Sequence, residues 1–116
     1  LREHCSAVVT GTGTAGFEAL FREKPVMMFG HRFYQYAPGV FQIRTEEDCK
    51  NAMSAIFERG EKPELKKVRL YLKAIQDTCV RAAVCDWHRK QASNLSHEAN
   101  TRAISEALVG RIKMLS

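Results

Sequence analysis

A short β-branched run at residues 6–10, SAVVT, breaks into Gly11-Thr12-Gly13-Thr14-Ala15-Gly16, and a second apolar run, VMMF, begins at Val26 just after Lys24-Pro25. An apolar run that stops at a glycine-rich turn has the pattern of a buried strand. Residues 15–23 then read as a helix with Phe17, Leu20 and Phe21 on its apolar stripe. Lys24 closes it, because the residue before a proline is pushed out of the α region. Strand, turn, helix and strand in that order call for a parallel sheet with a right-handed crossover, which leaves this chain little choice of fold.

Residues 40–44 (VFQIR) suit a short third strand. Thr45-Glu46-Glu47-Asp48 resembles a capping box opening a helix that runs to about residue 59, with Cys49, Met53, Ile56 and Phe57 on its buried side and Gly60 ending it. From Pro63 to about Lys90, Leu65, Val68, Leu72, Ile75, Cys79 and Ala82 recur at steps of three and four, which predicts one long amphipathic helix. Trp87 is expected to cap the core at its end, although the Lys/Arg-rich face beside it would also suit an acidic bilayer surface. A last helix over residues 96–114 is expected to bury Ile104, Leu108, Ile112 and Leu115. The expected class is α/β, a partial Rossmann-like parallel sheet followed by a helix-rich C-terminal region. Residues 1–62 would hold the β-α-β portion and residues 63–116 helices packing on the same domain.

The size and composition fit one domain with a core, since 45% of the 116 residues are hydrophobic and 27% charged. Leu1-Arg2-Glu3-His4 look like the tail of a helix and no initiator Met is present, so a piece of a longer protein is expected. No apolar run approaches the roughly 18 residues of a membrane span, which points to a soluble, cytoplasmic domain. Cys5, Cys49, Cys79 and Cys85 lie far apart without CxxC spacing, so free buried thiols are expected. A net charge of +5 spread over helices that also carry acids reads as a solvated face, with weak attraction to anionic ligands or the inner-membrane surface.

The turn satisfies GxGxxG between a strand and a helix, where unpaired amides from Thr12 to Ala15 and the positive helix end would hold a phosphate. A tight βα turn with no ligand would use the same glycines. Thr10, Thr12 and Thr14 tilt the balance toward binding, because three hydroxyls on one turn exceed what capping needs. Glu18 lies one turn further on the same helical line and leans back toward the turn. An acid beside phosphate would be repelled, so its natural partner is a ribose diol; the plainer role is to complement the helix dipole. Residues 30–39, GHRFYQYAPG, are too polar for core and too aromatic for a plain linker, which makes them a candidate ligand wall.

The stretch TGTGTAGFEALFREKPVMMFGHRFYQYAPGV, residues 10–40, resembles the capsule polysaccharide biosynthesis and export family. The resemblance lies in the Thr-rich turn, Gly16-Phe17-Glu18-Ala19-Leu20, Lys24-Pro25-Val26, Gly30-His31-Arg32-Phe33-Tyr34 and Pro38-Gly39, in that order. It implies the C-terminal Rossmann domain of a GT-B-like glycosyltransferase, similar to enzymes that use a CMP-linked 3-deoxy-octulosonic acid, with the acceptor held by an N-terminal domain. Carried over by position, Thr12, Gly13, Thr14 and Ala15 would hold donor phosphate and Glu18 would meet the ribose. On chemical grounds His31 and Arg32 would be catalytic, and Phe33 and Tyr34 would wall the sugar or acceptor. The donor, CMP- or UDP-linked, would be a substrate, and no separate cofactor is implied.

Two rivals share this fold. A dinucleotide site would place an acid after the second strand, where Gly30-His31-Arg32 stands instead, although Arg32 could meet the 2′-phosphate of NADP. A non-catalytic interaction module could keep the fold without the chemistry. Cys85-x-x-His88 followed by His97 lacks a fourth ligand, so no metal site is expected. Nucleic acid is disfavoured, because the basic residues are not interleaved with aromatics on one face.

Overall fold

In a computed structural model, residues 4–116 are described, so only His4 of the expected N-terminal helix tail falls within it. The elements are β1 (Val8–Thr10), α1 (Thr14–Leu20), β2 (Val26–Met28), β3 (Val40–Gln42), α2 (Glu46–Met53), α3 (Leu65–Thr78), α4 (Asp86–Ala92) and α5 (His97–Leu115), with a π-type turn, Ser54–Glu58, continuing α2. The three strands form one parallel sheet in the order β1-β2-β3, with Val8 opposite Val26 and Val26 opposite Val40. The molecule is thus α/β, a partial Rossmann-like sheet followed by helices. It divides into two compact units, Leu1–Gln76 and Asp77–Ser116.

In the first unit, β2 is the central strand and all three of its residues are buried. Successive side chains of a strand face opposite ways, and this alternation builds two cores. Val26 and Met28 join Leu20, Ala19, Tyr34, Ala37 and Val68 on one side, with Phe17, Phe21 and Tyr71 packed against them. Met27 joins Ile43, Ala52 and Ile56 on the other. Each large side chain buried here contributes about 1.5–3 kcal/mol. Gly16 allows α1 to lie close on the sheet, because a Cβ there would stand 3.1 Å from both Thr10 and Val26 side-chain carbons and closer still to the Tyr34 hydroxyl.

α1 is shorter than expected. It stops at Leu20, and the Lys24 amide reaches back to the Ala19 carbonyl while Glu23 donates to Leu20, with Glu23 in the left-handed region at φ 55°. That is the Schellman way of ending a helix, normally given to glycine. α2 starts as read: Thr45 Oγ1 accepts from the Asp48 amide at 3.1 Å and Asp48 accepts from the Thr45 amide at 2.9 Å. Its apolar side is less buried than expected, since Met53 and Phe57 are about half exposed while Ile56 is covered.

The long helix expected over residues 63–90 is two helices. α3 ends at Thr78, and residues 79–85 connect it to α4. The periodicity of the side chains continues through the break, but a tertiary contact overrides it: the buried Asn100 amide accepts from Ala83 N at 2.7 Å and donates to Ala83 O at 2.9 Å. With its N–H given to Asn100, Ala83 does not donate to the carbonyl four residues back, and the helical ladder is interrupted there. Trp87 therefore caps no core; it is 65% exposed and rests edge-on against His88. α5 begins at its Ser96 cap as read, but Leu108, Ile112 and Leu115 are exposed and only Ile104 is partly covered. Contrary to the expectation of buried thiols, Cys5 and Cys49 are only partly covered, and Cys79 and Cys85 are exposed in or beside the connecting segment.

Candidate functional site

The carboxyl ends of all three strands bring chemistry to one edge of the sheet. After β1 comes the Gly11-Thr12-Gly13 turn, after β2 the Gly30-His31-Arg32 segment, and after β3 Ile43 and Arg44. In open α/β sheets ligands bind at this edge. Residues 11–14 are all exposed, so the turn is not sealed under side chains.

The turn is tied down through its carbonyls and side chains. Thr10 Oγ1 accepts from the Gly13 amide at 2.9 Å, so that hydroxyl braces the turn from within. Gly30 N donates to Gly11 O at 2.9 Å and Arg32 Nε donates to Thr12 O at 2.8 Å. The Tyr34 hydroxyl donates to Gly13 O. A Cβ on Gly30 would fall 2.5 Å from both Gly11 O and the Thr12 methyl, so only glycine permits the two loops to touch. No side chain caps α1, which leaves the donors of its first turn, at Thr14 and Ala15, facing outward from the helix end. α1 has only seven residues, so its dipole contributes less here than a full helix would.

Arg32 is exposed, and with Nε committed to the turn neither terminal nitrogen has a partner among the described residues. His31 presents Nδ1 to Arg44 at 3.3 Å and to Gln35 Oε1 at 3.1 Å. Gln35 Oε1 only accepts and arginine only donates, so the two contacts call for opposite roles of Nδ1, as donor toward Gln35 or as acceptor from Arg44. Phe33 is 53% exposed and stacks edge-on with Phe17 and Tyr34, while the Tyr71 hydroxyl of α3 donates to its carbonyl at 2.8 Å. Glu18 is exposed on α1 one turn beyond Thr14.

Tyr34 does not form a wall. It is fully buried, and burial pushes its hydroxyl above the ordinary value, with the Arg32 charge pulling the other way. Its place is beneath the turn, which it supports. Sequence reasoning missed Arg44 altogether. Its guanidinium donates to the carbonyls of Phe29 and Gly30, both at 3.0 Å, and of Ile43 at 3.1 Å, so it holds the start of the loop that carries His31 and Arg32. The available signal was a cation placed directly after the third strand.

A cavity of about 410 Å3 opens at the opposite, amino edge, where Ser6, Lys24 and Pro25 meet Gly60 and Lys62. It lacks the convergent loops of the carboxyl edge, and the strand-end rule gives it less weight. Among the described residues no group of three or more His, Cys, Asp or Glu is placed to hold a metal ion. No helix among them is long and apolar enough to cross a membrane.

Fold and edge together define an α/β protein with a glycine-threonine turn braced at the strand ends. The family model described as capsule polysaccharide biosynthesis protein matches residues 1–76, which include every residue of this edge. The chain belongs to that family, and its role lies in capsule polysaccharide synthesis. Comparison with curated proteins and with solved structures returned no match. The matched residues end where the first compact unit ends, at Gln76.

Proposed function

We propose that this chain is the donor-binding part of a glycosyltransferase, seating a nucleotide sugar at the carboxyl edge of its sheet. The observation that carries the reading is Arg32: its Nε is anchored 2.8 Å from Thr12 O of the turn, and its two terminal nitrogens have no partner among the described residues. A fork held in that way is suited to phosphate oxygens, which a planar guanidinium can take two at a time.

In this reading the first-turn amides, including Thr14 and Ala15, and the Thr12 and Thr14 hydroxyls hold the donor phosphate, and Glu18 accepts from the ribose diol. Breaking the bond between sugar and phosphate leaves negative charge on the leaving group. Preoriented amides and Arg32 stabilise that charge, and His31 adds a hydrogen bond or a proton. Phe33 offers a ring face to the sugar. The acceptor and its base belong to another part of the parent protein, as in GT-B-like enzymes, and the inner-membrane surface is where a lipid-linked acceptor would be met.

Calorimetric titration of CMP, UDP and their sugar conjugates against the chain and its Arg32→Ala and Glu18→Ala variants tests this. One of the two bases binds, Arg32→Ala weakens it by about tenfold or more, and Glu18→Ala weakens the nucleotide without changing the affinity for pyrophosphate. Binding of NADPH with no response to CMP or UDP would instead favour an oxidoreductase, and silence toward every nucleotide would favour an interaction module.

A further inference from the structure

The second unit holds a side-chain pair that capsule chemistry does not use. Cys85 immediately precedes α4, and His88 stands one turn along it with Nδ1 2.8 Å from the Cys85 sulfur. Both residues are exposed, and the Trp87 ring meets the imidazole edge-on with centroids 5.0 Å apart. His88 also forms part of the wall of a cavity of about 400 Å3, together with Val80, Arg81, Val84, Ala92 and Leu95. An exposed thiol in hydrogen-bond contact with an imidazole that itself borders a cavity is the arrangement of an activated sulfur nucleophile.

The surroundings select the electrophile. Residues 81–90 carry three cations, Arg81, Arg89 and Lys90, against one acid, Asp86. Asp86 is occupied, with Arg89 at 2.6 Å and Lys90 at 2.9 Å, while Arg81 lines the cavity itself. An anionic reagent is therefore favoured over a cationic one.

We propose that Cys85 is a thiol-modification site, activated by His88, for low-molecular-weight disulfides of anionic thiols. His88 Nδ1 takes the proton from the Cys85 thiol as the sulfur attacks one sulfur of the disulfide. The Cys85–sulfur bond forms as the disulfide bond breaks. The released thiolate then recovers the proton, so one thiol and one disulfide give a mixed disulfide and one small thiol. Cys79 supplies the internal comparison: it is also exposed and lies six residues earlier in the chain, with no imidazole hydrogen-bonded to it among the described residues.

The test is to treat the whole chain with oxidised glutathione at neutral pH and follow each cysteine by peptide mass spectrometry. The unmodified chain, His88→Ala and His88→Gln are compared, with cystamine as the cationic reagent. Cys85 is expected to react about tenfold faster than Cys79, to prefer glutathione to cystamine, to slow to the rate of Cys79 in both variants, and to recover in His88→Ala when imidazole is added. Equal rates at Cys79 and Cys85, or a Cys85 rate unchanged in the variants, would overturn the activation. A preference for cystamine would overturn the anionic class. Because His88 is exposed, circular dichroism of the variants is expected to match that of the unmodified chain, which separates loss of the base from loss of the fold.

Discussion

Gly30 has no side chain to contribute, yet the site depends on it. Its amide holds Gly11 O at 2.9 Å, and a Cβ would fall 2.5 Å from that same oxygen, a backbone atom that cannot rotate aside. Gly30→Ala is therefore expected to cost about 1–3 kcal/mol in denaturant unfolding, as overpacking does, and to weaken nucleotide binding by pushing the two loops apart. Unchanged stability would mean that the loops part freely. The residues of the turn and of the Gly30-His31-Arg32 loop could be found in the sequence, because glycine, threonine and arginine in that order announce a chemistry. Tyr34 could not be placed so easily. An aromatic in a polar loop reads as a surface group, and only the packing on Phe17 and Val26 draws it inside, so that its hydroxyl reaches Gly13 O from below.

The ends of the helices hold the testable chemistry at the scale of elements. Glu23 occupies a left-handed position, φ 55°, that favours glycine. Glu23→Gly is expected to raise stability by about 1 kcal/mol, read as a shift in the denaturation midpoint, and a loss of stability would show that the carboxylate has a role of its own. Two helix-start acids should shape the acid limb. Amide hydrogen bonds from Arg44 and Thr45 lower the Asp48 carboxyl, while Lys90 and Arg89 lower Asp86 from 3.8 to about 2. A carboxyl lowered by folding adds stability that is fully present above its ordinary value and is lost as pH falls through its folded value. Resistance to thermal unfolding should therefore fall as pH drops below 3.8 toward about 2, less steeply in Asp86→Asn and at high salt, since Asp86 is exposed. The capping box at Thr45 was legible because its four residues act locally. The break at residues 79–85 was not, since its cause, Asn100, lies 17 residues from Ala83 in sequence.

Across the whole molecule, the two compact units differ in how they are held. The first has two apolar cores on either face of β2. The second has few buried side chains and a polar pin, Asn100, whose amide satisfies both main-chain groups of Ala83. Asn100→Ala leaves those groups unpaired at a cost of about 1–3 kcal/mol. Hydrogen exchange at residues 80–84 should accelerate accordingly, and unchanged exchange would show that water replaces the amide without loss. The parallel sheet followed from the sequence, because βαβ order and short apolar runs admit few topologies. The exposure of Leu108, Ile112 and Leu115 did not, because periodicity reports which face of a helix is apolar and not whether anything covers it.

The account rests on the carboxyl edge of the sheet being the seat of a nucleotide, and amide chemical shifts report on it directly. On titration with CMP or UDP, 15N-resolved spectra should show their largest shifts at Gly11, Thr12, Thr14 and Ala15 and at the Arg32 side-chain Nε. Shifts gathered instead around Ser6, Lys24 and Lys62, at the amino-edge cavity, would contradict it.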